Sequence, residues 1–342
     1  MERKVETQRT IADYLTVENP KVGFLAKVDE LINWKPIETL LKKKYRRTKD
    51  ATGEDAYPAL MMFKAMLLQR WYNLSDPALE AALYDRISFM QFCGLSVSSA
   101  KPDETTFCRF RNALIRLQLD TKLLDAINQQ FEKSGLLIRS GAIVDATVVQ
   151  SSRRPKKKIE LLAEDRKEDE VSESGPECKI NFSDDEEAGW IKKMGTSTYG
   201  FKGHVMVDAQ NGFYLGAHTT AANRFDGKEL GRLLEENSLL QKAPVFADKA
   251  YWSLENRNLL KAKGLFNGLM KKAVRGKPLN KVDKLINQLI STLRYKVERG
   301  LGTLKKDYGL ARARYLGTRK LDYEFAMSGL CFNIKKAINL SF

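Results

Sequence analysis

The segment Gly141 to Ser152, GAIVDATVVQSS, reads as a buried β-strand with a carboxylate in its middle. Ile143, Val144, Thr147, Val148 and Val149 are β-branched residues, which favour strands and fill the interior of a sheet. Asp145 stands among them. Taking an ionised carboxylate out of water costs several kcal/mol even after the protein relaxes, unless a cation compensates it. A fold that places this strand centrally must supply that cation, as a basic side chain or as a bound metal.

The rest of the chain narrows the choice. At 342 residues it is long enough for two domains, and 43% hydrophobic residues allow a proper core. The 58 Lys and Arg against 43 Asp and Glu leave a net charge of +15, which points to a polyanionic partner such as nucleic acid. Cys93, Cys108, Cys178 and Cys331 form no Cys-x-x-Cys pair, so neither a zinc ribbon nor a disulfide framework is indicated, and a reducing cytoplasm is expected. No run approaches the roughly 18 apolar residues of a membrane span. With only His204 and His218 available, hydrolytic chemistry has to rest mainly on carboxylates.

Residues 58 to 134 read as helical, and 1–134 form an all-α N-terminal domain. PALMMFKAMLLQRWYN is apolar on most sides and belongs at the centre of a bundle. Asp76-Pro77 restarts a helix as cap and first-turn proline, with Leu79, Leu83 and Ile87 on one face, and the Asn73-Leu74-Ser75 joint is compatible with a helix-turn-helix. Asp103 caps a further helix with the apolar stripe Phe107, Phe110, Leu114 and Leu117. Its opposite face carries Arg109, Asn112 and Arg116, either a DNA-reading surface or a solvated one.

The pattern changes after Gly135. Strand-like runs at Leu136–Arg139, Ala142–Val149, Gly200–Asp208, Gly212–Thr220, Pro244–Ala247 and Leu265–Met270 alternate with helical patterns near 226–240, 253–263 and 281–299. Residues 135–342 are therefore an α/β domain. Asn211-Gly212 marks a hairpin, and Asp226 with Glu229 reads as a capping box. A basic run followed by an acidic one, at about 153–189, reads as a flexible insertion, a surface loop or a clamp on DNA.

Two further acids share the setting of Asp145. Asp248 follows the short strand Val245-Phe246-Ala247, at the carboxyl edge where α/β proteins place their sites. Glu298 lies on a helix whose core stripe is read as Val282, Leu285/Ile286, Leu289/Ile290, Leu293 and Val297, with Asn287, Ser291, Arg294 and Glu298 as a separate polar stripe. Three carboxylates from a strand, a strand end and a flanking helix suit hard divalent cations, so metal rather than a basic side chain is expected to compensate Asp145. Each acid also has a plainer reading, Asp248 as a helix cap and Glu298 as the partner of Arg294.

The segments IVDATVV, YGFKGHVMVD, TTAANRFDG, FADKAYW and RYKVERGLGTLKKDYGLARARY resemble the DDE transposases of bacterial insertion sequences, specifically the large family conventionally numbered five. LMMFKAMLLQRWYNLSD and DETTFCRFR extend the resemblance to that family's N-terminal domain. Asp145, Asp248 and Glu298, 103 and 50 residues apart, fall on its three acidic positions. Of its Tyr-x2-Arg-x3-Glu-x6-Lys signature, Arg294, Glu298 and Lys305 are present, while Ser291 stands at the tyrosine position, a departure that bears on the role of the phenol and not on the metal site. RGKPLNKVDK leaves no room for the large β-rich insertion of some related enzymes.

The resemblance implies a ribonuclease H-like mixed sheet flanked by helices, and a metal-dependent enzyme that cleaves double-stranded DNA at terminal inverted repeats and transfers the freed 3′-hydroxyl to target DNA. It implies two Mg2+ ions once DNA is bound, with Mn2+ as substitute, held by Asp145, Asp248 and Glu298. Arg294, Lys305 and Lys249 are expected at phosphates, and Trp252 at a displaced base or in the core. A homodimer or larger assembly on DNA is expected, without membrane, in a bacterial cytoplasm. The alternatives are a nuclease of related fold without strand transfer and a domesticated DNA-binding protein.

Overall fold

The computed structural model describes residues 23–45, 56–155, 157–161, 178–182, 185–193, 195–274, 276 and 278–342. Among the described residues seven helices come first: α1 (Phe24–Leu31), α2 (Trp34–Lys44), α3 (Ala59–Trp71), α4 (Asp76–Asp85), α5 (Ile87–Cys93), α6 (Glu104–Arg116) and α7 (Leu119–Lys133). In α3, ten of the thirteen residues are buried, which puts it at the centre of the helical region as its composition required. Ser75 rather than Asp76 caps α4, its hydroxyl accepting the Ala78 N–H at 3.2 Å. Asp76 is instead taken by Arg111 of α6 in a two-pronged ion pair, 2.7 and 2.6 Å. Ile87 is not on the buried face of α4 either, because that helix ends at Asp85 and Ile87, 45% exposed, opens α5. Asp103 does cap α6, accepting the Thr106 N–H at 2.6 Å, with Phe107, Phe110 and Leu114 buried beneath.

The second half is built on a mixed sheet of β1 (Ala142–Gln150), β4 (Gly189–Lys193), β5 (Thr196–Asp208), β6 (Tyr214–Ala221), β7 (Pro244–Ala247) and β8 (Phe266–Leu269). β1 is central, antiparallel to β5 on one side and parallel to β7 on the other, with β8 parallel beyond β7. β4 and β6 share the far edge of β5, end to end. Leu136–Arg139 forms no strand and links α7 to β1. The expected insertion falls partly outside the described residues; its described backbone pairs β2 (Lys157–Leu161) with β3 (Cys178–Phe182), so these stretches are a two-stranded ribbon rather than loop.

Four helices complete this half: α8 (Leu230–Glu236), α9 (Leu254–Ala262), α10 (Lys281–Asp307) and α11 (Thr318–Ser341). Asp226 does not form a capping box; it pairs with Lys202 at 2.7 Å, and a 3-10 turn, Asp226–Lys228, precedes α8. In the first half of α10 the expected stripe is turned around. Val282, Leu285, Ile286 and Leu289 are exposed, whereas Asn287 is buried and exchanges two hydrogen bonds with the Lys271 backbone, 2.8 and 3.0 Å. Only from Ile290 onward do the apolar positions Ile290, Val297, Leu301 and Leu304 face the core.

α11 packs across β6 and against α7, α3 and α1, joining the sheet to the helical region. Two glycines make room at this contact: a Cβ on Gly203 of β5 would lie 2.1 Å from the Phe325 ring of α11, and one on Gly329 of α11 would lie 2.2 Å from the Tyr214 ring of β6. Buried Asn333 accepts the Tyr214 N–H and donates to the Tyr214 carbonyl, both at 2.7 Å, beside the bulge in β5 and β6, and that carbonyl also accepts from Asn128 at 3.1 Å. Arg319 grips Asp120 of α7 with two bonds, 2.8 and 2.6 Å.

Asp322, also on α11, accepts the N–H and hydroxyl of Thr219 at 2.7 and 2.8 Å, and burial pushes its carboxyl up to about 7. A folded-state pKa above the ordinary 3.8 means that between these values the folded chain holds a proton the unfolded chain has lost, so stability falls as pH rises from about 4 to about 7. Asp322→Asn keeps the acceptor oxygen and removes the charge. It is expected to raise the melting temperature at pH 8 by several degrees and to change it little at pH 4.5, as differential scanning calorimetry reads. An equal change at both values would contradict this assignment.

Candidate active site

Three elements converge where the expected acids lie. In the parallel pair of β1 and β7, Ala142 is opposite Val245 and Ile143 opposite Phe246. Asp145 lies two residues past Ile143 in β1, and Asp248 follows directly on the last residue of β7, close enough for its charge to act on Asp145. α10 packs against both strands, and Ile290 and Val297, buried, turn the Arg294 position between them toward β1. The Arg294 Nη2 donates to Asp145 Oδ2 at 2.9 Å and lies 3.7 Å from Glu298 Oε1. Its Nη1 reaches Met270 Sδ at 3.9 Å, and its Nε is buried without a partner.

The opening problem therefore has a different answer in this structure from the one expected. A basic side chain, Arg294, supplies the charge that compensates Asp145, where a metal was anticipated, and Arg294 points inward rather than out to solvent. Asp145 Oδ1 also accepts the Ala146 N–H at 2.9 Å. Burial pushes the Asp145 carboxyl above its usual range; the Arg294 charge opposes this, and the neighbouring Asp248 charge adds to it.

Asp248 is held by its own backbone, its Oδ1 accepting the Ala250 N–H at 2.7 Å at the start of the 3-10 turn Lys249–Tyr251. That turn lies against the Asp226–Lys228 turn, close enough that a Cβ on Gly227 would meet the Ala250 carbonyl at 2.4 Å. Asn256 fastens the two, donating to the carbonyls of Gly227 and Tyr251, both at 2.8 Å. Tyr251 is buried under the acids with its hydroxyl unpartnered. Asn256 belongs to no expected motif, and Tyr251, although within FADKAYW, is not singled out there; no periodicity marks either. Glu298 is the open member of the set, its side chain 56% exposed.

The donor chemistry fits a hard divalent cation: three carboxylates and no sulfur or imidazole. Among the described residues no group of three or more His, Cys, Asp or Glu side chains is gathered closely enough to hold a metal as it stands. The positive charge beside Asp145 and Glu298 is the guanidinium of Arg294. The two histidines are elsewhere, stacked on each other 5.1 Å apart across β5 and β6 and held neutral by burial, which lowers both to about 4.

The remaining candidates separate by position. Lys249 is exposed beside Asp248. Trp252 is half-buried against the core and covered by the Arg257 guanidinium, 4.7 Å from its ring. Lys305 is half-buried on α10, its amine lowered first by burial and then by the charge of Lys193. Arg109, Asn112 and Arg116 share the exposed face of α6, remote in sequence from the acids. Ser291 is exposed, one turn before Arg294.

The site thus brings together an acid within the central strand, an acid just past the end of the neighbouring parallel strand and an acid on the helix packed against both. Residues 137–334 match the family described as "Transposase DDE domain", and residues 13–113 match "Transposase domain (DUF772)". The chain belongs to the DDE transposases. It is 37% identical over 236 residues, 68% of this chain and 78% of the relative, to the transposase for insertion sequence element IS1106 of Neisseria meningitidis serogroup B. No solved structure matches it. The protein is an enzyme acting on DNA, a transposase of an insertion sequence, and its domain type depends on divalent cations. No helix among the described residues is long and apolar enough to cross a membrane.

Proposed function

We propose that this transposase cuts its element at terminal inverted repeats and joins the freed 3′-hydroxyl to target DNA, within the insertion-sequence family numbered five, using Asp145, Asp248 and Glu298. The observation that supports the assignment of these residues is the neighbouring placement of Asp145 in β1 and Asp248 just past β7, with Arg294 reaching from Asp145 toward Glu298. Asp145 is central and is proposed as the shared ligand, with Asp248 and Glu298 each holding one of two Mg2+ ions. When bound, such a pair lowers the pKa of water and neutralises charge on the phosphodiester.

The chain's own groups do the positioning. The Ala250 and Ala146 N–H groups aim the two aspartates, and the Asn256 clamp fixes the turn that carries Asp248. Lys249 and Lys305 are proposed phosphate contacts, and Arg294 becomes one once it leaves Asp145. Trp252, packed as it is, serves the turn rather than a displaced base. We further propose residues 1–134 as an end-binding domain, 135–342 as the catalytic domain, assembly as a homodimer or larger on DNA, and action in the bacterial cytoplasm at the nucleoid.

The exposed face of α6 is the proposed reader of the element's ends, since a capped helix with a complete buried stripe presents its other side rigidly. Replacing Arg109, Asn112 and Arg116 together by alanine should weaken binding to terminal-repeat DNA more than to random DNA. Equal weakening in a fluorescence-anisotropy titration would reduce the face to phosphate contact. The function itself is tested by incubating the protein and Mg2+ with a fragment bearing the inverted repeats that flank its gene and mapping cuts and joined products.

A further inference from the structure

α10 has two working sides. Residues advance about 100° each around a helix, so Lys296, two places after Arg294, points away from the acids, with Arg299 and Thr303 on its side. That side forms one wall of a groove of about 460 Å³, with the end of α11 as the other wall and the Gln210-Asn211 turn at one end. Lys296, Arg299, Lys335 and Lys336 line it, against one carboxylate, Asp307.

Among the described residues none of these four cations is in an ion pair. Lys296 donates to the backbone carbonyls of Ala209 and Gln210 at 2.7 and 2.8 Å, with the buried Asp208 carboxylate near but not in an ion pair with it. The Lys336 amine lies 5.4 Å from the Phe332 ring centre and 5.9 Å from that of Phe213. Burial, with Arg299 and Lys296 beside it, lowers its pKa, against a smaller opposing effect of Asp208. Arg299 and Lys335 are exposed and have no side-chain partner. Tyr295 stands 61% exposed at the lip. Four unpaired cations around one concavity are mutually repulsive and are stabilised together by a polyanion.

We propose that the groove between α10 and α11 binds the phosphate backbone of a DNA duplex that carries no terminal repeat, the target of the joining step. This rests on the transposase reading above. Lysine and arginine on phosphates carry no sequence information, which suits a target better than an end that must be recognised. A duplex crossing α10 has to span only the helix, roughly 10 Å, to pass from groove to acids.

The test is a salt series on the full chain with Ca2+ present, comparing a 30-base-pair random duplex with a terminal-repeat duplex for wild type, Arg299→Ala/Lys335→Ala, and the charge-keeping Arg299→Lys/Lys335→Arg. The alanine pair should reduce the slope of log K against log salt on random duplex by roughly two, since each phosphate contact contributes about 0.9. The end-duplex slope should hold, the charge-keeping pair should behave as wild type, and both side chains being exposed, the melting temperature should stay put. An unchanged random-duplex slope overturns the proposal, and so does an equal loss on both duplexes. Wild-type cleavage of the inverted-repeat fragment, run alongside, reports on the transposase chemistry separately: if it occurs while the slopes stay level, only the groove assignment fails.

Discussion

Asp145→Asn, Asp248→Asn and Glu298→Gln are each expected to lower cleavage of an inverted-repeat fragment by at least roughly a hundredfold, the scale of losing one electrostatic contributor to a transition state, while binding of that fragment stays near wild type. The reasoning is geometric. Asp145 lies in β1 and Asp248 just past the end of the parallel strand β7, both partly buried, and on the proposed reading their charge serves a cation rather than DNA. The amides are near-isosteric and keep an acceptor for the Ala146 and Ala250 N–H groups; Asp145→Asn also removes the charge that pairs with Arg294, so its melting temperature is measured alongside and binding of the fragment reports that it is folded. Mg2+ or Mn2+ should support cleavage, and Ca2+ binding only, because its larger and looser coordination misplaces the reacting oxygens. Gel-resolved cleavage and anisotropy binding on the same fragment check both halves, and a variant that cuts normally removes its residue from the site.

The second large effect belongs to Arg294. Both it and Asp145 are largely enclosed, side chains 13% and 16% exposed, so Arg294→Ala strands a carboxylate in a poorly solvated place beside Asp248. Breaking a buried pair from one side costs about 3–5 kcal/mol, whereas a surface pair between Arg294 and Glu298 is worth under about 1 kcal/mol. The variant should therefore melt lower than wild type in EDTA by roughly 5 °C or more. Millimolar Mn2+ should restore much of the difference, since the ion takes over the charge that Arg294 supplied. Loss of stability that Mn2+ does not touch would mean that Arg294 is a structural ion pair with no relation to the cation site.

How much of this was legible before the structure follows from what local sequence encodes. The neighbouring placement of Asp145 and Asp248 was legible because a carboxylate within a β-branched run, or directly after one, conflicts with its surroundings and so marks itself. The face of α6 was legible for the same reason, a cap and a stripe together defining a helix side. α11 was missed because Leu321, Phe325, Leu330, Ile334 and Ile338 are joined in burial by polar Asn333 and Glu324 on other faces, leaving no amphipathic period to detect. The first half of α10 misled in the opposite way: its apolar stripe is regular, yet Asn287 was drawn inward by two backbone bonds at Lys271, a contact set by tertiary structure. Spacing likewise placed Arg294 and Glu298 on one side of a helix without revealing that β1 lay opposite.

The central claim is that these acids make a site for DNA cleavage and joining, and one measurement bears on it most directly. Wild-type protein, Mg2+ and a labelled fragment carrying the element's two inverted repeats, with a plasmid as target, should yield cuts at the repeat boundaries and products covalently joined to the plasmid through the repeat 3′ ends, both absent with Asp145→Asn. Cuts without joined products would support a nuclease instead, and cutting that persists in Asp145→Asn would contradict the account at its base.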